Sequence, residues 1–123
     1  MAQEMGERFA RAIASKSETQ LLYLLDSDVD FRAMTPTRFW EATRAEEVVK
    51  DVIFGRWFAP TDEIEAVEHV ECEAFADRFR VGYRFRVRNA DGSFAVEQQA
   101  YYGVDGERIT WLRIMCAGYR PLT

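Results

Sequence analysis

Apolar residues change their period part-way along this 123-residue chain, recurring at helical spacing before Pro60 and alternating from Glu63 onward. Met5, Phe9, Ala12 and Ile13 lie a turn apart, and Ser17-Glu18-Thr19-Gln20 has the form of a capping box ahead of Leu21, Leu22, Leu24 and Leu25. This predicts two helices joined near Lys16. The alternating VDFRAM predicts a strand ended by Thr35-Pro36, with a short extended piece, RFWEA, after it. Thr43-Arg44-Ala45-Glu46 forms a second capping box, and Ala45, Val48, Val49, Val52 and Ile53 follow at the spacing of a helix with one apolar stripe. That helix runs toward Trp57 and stops by Pro60.

Beyond Glu63 the pattern predicts four long antiparallel strands in a meander, with turns at Ala76-Asp77, Asp91-Gly92 and Asp105-Gly106. Successive side chains of a strand point to opposite faces. Counting outward from the two Asp-Gly turns pairs Phe85 with Gln98 and Gln98 with Arg113. The expected core face then gathers most of the apolar residues together with Glu68, Tyr83, Gln98, Tyr102, Trp111, Arg113 and Met115. The other face carries Arg78, Arg80, Arg84, Arg86 and Arg88 beside Glu65, Glu71, Glu73, Glu97 and Gln99. Opposite charges across strands neutralise one another, whereas a phosphate-binding stripe needs uncompensated cations, so the arginines read as a cross-paired sheet face.

Composition narrows the picture further. With 48% apolar residues and no low-complexity tract, residues 1–123 read as one globular domain. Sixteen basic against 21 acidic residues, a net charge of -5, argue against nucleic acid or anionic lipid as a partner. No window approaches the roughly 18 apolar residues of a membrane span, and the charged N-terminus lacks the apolar stretch of a secretory signal. Cys72 and Cys116 fall in strands placed apart and on opposite faces, which excludes a disulfide between them and fits a reduced, cytoplasmic protein. His69 and Cys72, three apart on a strand, also point to opposite faces and make no metal pair. No metal or other cofactor is expected.

Two helices, a strand, a third helix and a meander closing on GVDGERITWLRIMCAGYRP resemble the nuclear transport factor 2-like superfamily, in particular its SnoaL-like and ketosteroid-isomerase-like branches. LYLLDSDVDFRAMTP and the DGERITWLRI hairpin carry the likeness most clearly, and it covers nearly the whole chain. It implies a single SnoaL-like domain of cystatin-like, α+β fold, in which a strongly bent antiparallel sheet wraps three helices into a cone with a pocket inside. It also implies a homodimer through the outer sheet face. Relatives include isomerases, polyketide cyclases, dehydratases, epoxide hydrolases and transport adaptors, so the fold does not choose a function.

Candidate ligand-binding residues are Tyr23, Trp40 and Trp57 as aromatic lining, with Gln98, Tyr102, Trp111 and Arg113 on the core face. A buried Arg113 would need a partner among Gln98, Glu68, Asp28 and Asp30. The catalytic candidates are Glu68, with Asp28 or Asp30 as alternatives, acting as base, and Tyr83 or Tyr102 with Arg113 as oxyanion donors. In the isomerase and cyclase relatives an acid projects into the pocket, but here the last strand offers only Arg113 and Met115. The leading expectation is therefore a domain that binds a small apolar or aromatic ligand. The alternatives are a cofactor-independent isomerase or cyclase acting on a carbonyl compound by acid-base chemistry, and a protein-interaction module. Tyr101, Leu112 and Ile114 project from the other face and are the expected dimer interface.

Overall fold

Met5, Phe9, Ala12 and Ile13 line the buried side of α1 (Ala2–Ala14) in the computed structural model, which describes residues 2–122. α2 (Glu18–Leu24) follows, and Ser17 caps it by accepting from the Gln20 N–H, one half of the expected box. β1 (Leu25–Thr35) and β2 (Arg38–Ala42) form a hairpin, a third helix, α3 (Glu47–Trp57), crosses over, and β3 (Glu63–Phe75), β4 (Arg78–Asn89), β5 (Gly92–Asp105) and β6 (Arg108–Pro121) make the meander. The fold is α+β, as expected. The six strands run β2-β1-β6-β5-β4-β3, and β1 pairs parallel to β6, so the sheet is mixed rather than antiparallel throughout. A parallel neighbour requires a long crossover, and the whole of β2 to β5 supplies it here.

α3 departs from the expected α-helix. Its buried residues are Val48, Val49, Val52, Ile53 and Trp57. At about 3.6 residues per turn, the nine-residue step from Val48 to Trp57 is two and a half turns and would set them on opposite sides. The observed π-winding, with i→i+5 bonds and roughly 4.4 residues per turn, completes about two turns and keeps both inward. Gly55 fits this winding, because a Cβ there would lie 2.6 Å from the Lys50 carbonyl oxygen. Glu46 makes no side-chain cap, so the second capping box is not used.

After α3, residues 58–62 are tied down from three sides. Lys16 Nζ donates to the Ala59 and Asp62 carbonyls at 2.6 and 2.5 Å. The Asp62 carboxylate accepts from the Ala59 N–H, the Asn89 amide and the Tyr119 hydroxyl, which also donates to the Trp57 carbonyl. Burial, with the Asp62 charge second, pushes the Tyr119 hydroxyl far above its ordinary range.

Both hairpins turn one residue away from the count made from sequence, with Asn89 facing Gly92 and Asp105 facing Arg108. Tyr83, not Phe85, therefore faces Gln98, although each stays on its expected side of the sheet. Bulges change more. In β6, Thr110 is the extra residue between the Val104–Ile109 and Gly103–Trp111 pairs, and every side chain from Trp111 to Cys116 changes face. Leu112, Ile114 and Cys116 are thereby buried, while Trp111, Arg113 and Met115 point outward. In β3, Glu65 and Glu68 are the extra residues, so Val67 replaces Ala66 and Glu68 on the inner side.

Candidate functional site

Inside the fold, Phe9, Phe31, Phe58, Tyr83, Phe85 and Tyr102 are each at most 1% exposed, so helices and sheet meet through interlocked rings rather than around an open pocket. Phe58 packs edge-on against Phe85, and Tyr83 stacks on Phe85. Among the described residues no charged side chain is buried, and Gln98 is the one buried polar side chain. Tyr83 donates its hydroxyl to Gln98 Oε1 at 2.5 Å. Burial, with Cys116 nearby, holds that hydroxyl well above its ordinary pKa. Two buried donors, Gln98 Nε2 and Trp57 Nε1, have no acceptor among the described residues. Tyr102 donates to the Ala2 and Gln3 carbonyls and thereby fastens the start of α1, while burial raises its pKa to about 12.

The remaining expected site residues scatter. Tyr23 is 54% exposed under the Arg108 guanidinium. Trp40 is half-buried, donates to Thr35 Oγ1 at 2.9 Å and meets Trp57 edge-on. Glu68 is exposed on its bulge, 3.9 Å from Arg86, because the extra residue turns it out of the core face. Asp28 and Asp30 lie on the outer side of β1, opposite the buried Val29, Phe31 and Ala33. Arg113 does find Asp30, at 3.2 Å, but outside the fold, and Trp111 lies beside it with the Arg78 and Arg113 guanidinium carbons 4.3 and 4.5 Å from its ring centre. Leu112 and Ile114 belong to the core, so they are not part of an exposed interface. Cys72 and Cys116 both face inward, contrary to expectation, and are free thiols.

The outer face has two chemically different halves. Over β3, β4 and β5 the arginine stripe is neutralised as expected: Arg80 bonds Glu71, Glu73 and Gln99, Arg84 bonds Glu97 at 2.9 Å, and Arg88 meets Glu65 at 2.7 Å. His69 joins the edge of this ladder through Glu71. Over β2, β1 and β6 the surface turns apolar. Phe39, Met34 and Met115 stand in one cross-strand row and remain 72%, 39% and 53% exposed. The adjacent row is Glu41, Arg32, Arg113 and Tyr101. Together these rows line an open groove of about 430 Å³, whose floor includes Ala33 and Ile114.

Only part of this groove was visible beforehand. Alternation in VDFRAM sets Arg32 and Met34 on the outer side, which is a usable signal. Arg113 and Met115 arrive beside them only because Thr110 bulges.

No family model matches the chain, and no curated protein matches it in sequence. Solved structures do match in shape. A candidate isomerase from Rhodopseudomonas palustris superposes with a TM-score of 0.70 at 18% identity, covering 94% of this chain and 91% of that one. An LEH-like epoxide hydrolase from M. tuberculosis gives 0.67 at 13% identity, over 94% and 81%. A nuclear transport factor 2-like protein of unknown function from Cytophaga hutchinsonii gives 0.58 at 13% identity, over 94% and 89%. The chain therefore has the nuclear transport factor 2-like fold. At these identities the likeness extends to shape alone.

Proposed function

We propose that this chain is a small-molecule-binding domain that takes a small apolar or aromatic ligand in the groove over β2, β1 and β6. The observation that carries the reading is the exposed row Phe39–Met34–Met115 beside a concavity of about 430 Å³, a size that suits a small ligand. Methionines give such a surface an adaptable lining, and Phe39 adds a flat one. The tightly filled interior supports the same choice. Acid-base catalysis inside the fold has no base to work with, because no carboxylate is buried among the described residues. The test is a thermal-shift titration with indole, compared between the native chain and Met115→Glu. The reading predicts a concentration-dependent rise in Tm that the substitution abolishes while the protein stays folded. An equal rise in both proteins would remove the groove from consideration.

Self-association across the outer face is the second reading. Tyr101 and Phe75, in ring contact at 6.0 Å and both exposed, extend the apolar surface beyond the groove. It ranks below the first because a two-fold axis through the groove would set Arg32 and Arg113 of one copy against the same pair of the other. Sedimentation over a wide concentration range decides it, since a mass fixed at one chain removes this reading.

A further inference from the structure

Resting on the groove as a binding site, we infer that its ligand carries a carboxylate: an amphipathic organic acid, with its apolar body along Phe39, Met34 and Met115 and its anion on Arg32 and Arg113. The register places Arg32 of β1 directly opposite Arg113 of β6. Like charges in facing positions of neighbouring strands repel, and such a pair is relieved by an anion between them. The acids already present satisfy it incompletely. Glu41 stands 4.0 Å from Arg32, beyond hydrogen-bonding distance, and both side chains are more than half exposed. Asp30 engages Arg113 only through Nη1, which also donates to the Asp30 and Leu112 carbonyls. Nε and Nη2 of Arg113 carry no hydrogen bond among the described residues, nor does any guanidinium nitrogen of Arg32.

Arg32 and Arg113 both line the groove, the Arg113 guanidinium carbon also lying 4.5 Å from the centre of the Trp111 ring, and a guanidinium matches a carboxylate with two parallel N–H···O bonds. Arg80, Arg84 and Arg88 each have a carboxylate at hydrogen-bond distance, whereas Arg32 in the apolar half, like Arg86 at 3.7 Å from Glu65, does not. Apolar wall and incompletely paired cations thus adjoin, which is the complement of an organic acid rather than of a neutral hydrocarbon. Glu41 becomes the group that the ligand displaces.

Calorimetric titration with 3-phenylpropionate and with its neutral amide, 3-phenylpropionamide, tests this. The acid is expected to bind at least about tenfold more tightly than the amide. Arg32→Gln should shrink that preference and Glu41→Gln should widen it. Arg113→Gln should abolish the preference, and because Arg113 also holds Asp30, the exposed Arg32 and Glu41 variants keep the test valid if that protein does not fold. Equal binding of acid and amide would overturn the carboxylate while leaving the groove as a site. Binding of neither, by a folded monomer, would overturn both. A dimer that dissociates on Met115→Glu would assign the groove to a second copy and overturn the inference as well.

Discussion

Replacing Tyr83 by phenylalanine removes one oxygen and leaves a buried amide with nothing to bond. Gln98 is 1% exposed, its Nε2 already lacks an acceptor, and the Tyr83 hydroxyl, at 2.5 Å, is the partner of its Oε1. An unsatisfied buried polar group costs about 1–3 kcal/mol, so Tyr83→Phe should destabilise by roughly 2 kcal/mol and lower Tm by about 5–10 °C for a domain of this size. Gln98→Leu strands the hydroxyl but removes the unpaired amide nitrogen, and its net cost should be nearer 1 kcal/mol. The double variant replaces both partners by apolar groups of similar shape, which is close to neutral, within about 1 kcal/mol. Urea unfolding of the four proteins, followed by tryptophan fluorescence, gives the cycle directly. The expected coupling is about 1–3 kcal/mol, with the double variant more stable than Tyr83→Phe alone. Additive losses would show that the two side chains do not depend on one another and would refute the reasoning.

Alkaline pH should unfold the protein earlier than its surface ionisation suggests. Tyr83, Tyr102 and Tyr119 all have pKa values raised above 10 by burial, with Tyr102 at about 12. Above pH 10 the unfolded chain gives up these protons while the folded one keeps them, so the stability present below pH 10 falls as pH rises, by at most about 1.4 kcal/mol per pH unit for each group. Urea midpoints measured between pH 8 and 12 check this, and Tyr102→Phe should reduce the slope between pH 10 and 12. Gly6→Ala should destabilise despite alanine's better helix propensity of about 1 kcal/mol. The added Cβ would lie 2.8 Å from the Tyr102 hydroxyl and 2.9 Å from Val81 Cβ, and the overpacking, about 1–3 kcal/mol, outweighs the gain. A rise in the urea midpoint would contradict that close approach.

The elements themselves were largely legible because period and turn chemistry are local. Helical spacing around Phe9 and Ile13, alternation through RFRVGYRFRV and the Asp-Gly turns each rest on a few neighbouring residues. What failed is what alternation cannot carry past an inserted residue. Thr110 sends Trp111, Arg113 and Met115 outward and brings Leu112 and Ile114 in, which exchanges the expected pocket residues for the expected interface residues. Glu68 left the core face by the same mechanism. Neither Thr110 nor Glu68, the extra residues, is a glycine that would announce a bulge, unlike the irregularity at Ala117-Gly118, where φ is +87°. The π-winding of α3 was partly legible, since the step from Val48 to Trp57 fits an α-helix poorly, but Val48, Val49, Val52 and Ile53 alone suit either winding. Tyr83 and Gln98 each kept their expected side of the sheet because β4 and β5 pair without a bulge, but the hairpin turn, one residue away from the count, put Tyr83 in place of Phe85 opposite Gln98.

The groove can be distinguished from the interior in a single spectrum, because methionine methyls report on each. Met34 and Met115 flank the groove, whereas Met5 is buried on α1. With methyl-labelled protein titrated with indole, the Met34 and Met115 signals should move together and saturate while Met5 stays in place. Movement of Met5 with Met34 and Met115 unchanged would locate the ligand inside the fold and contradict the account.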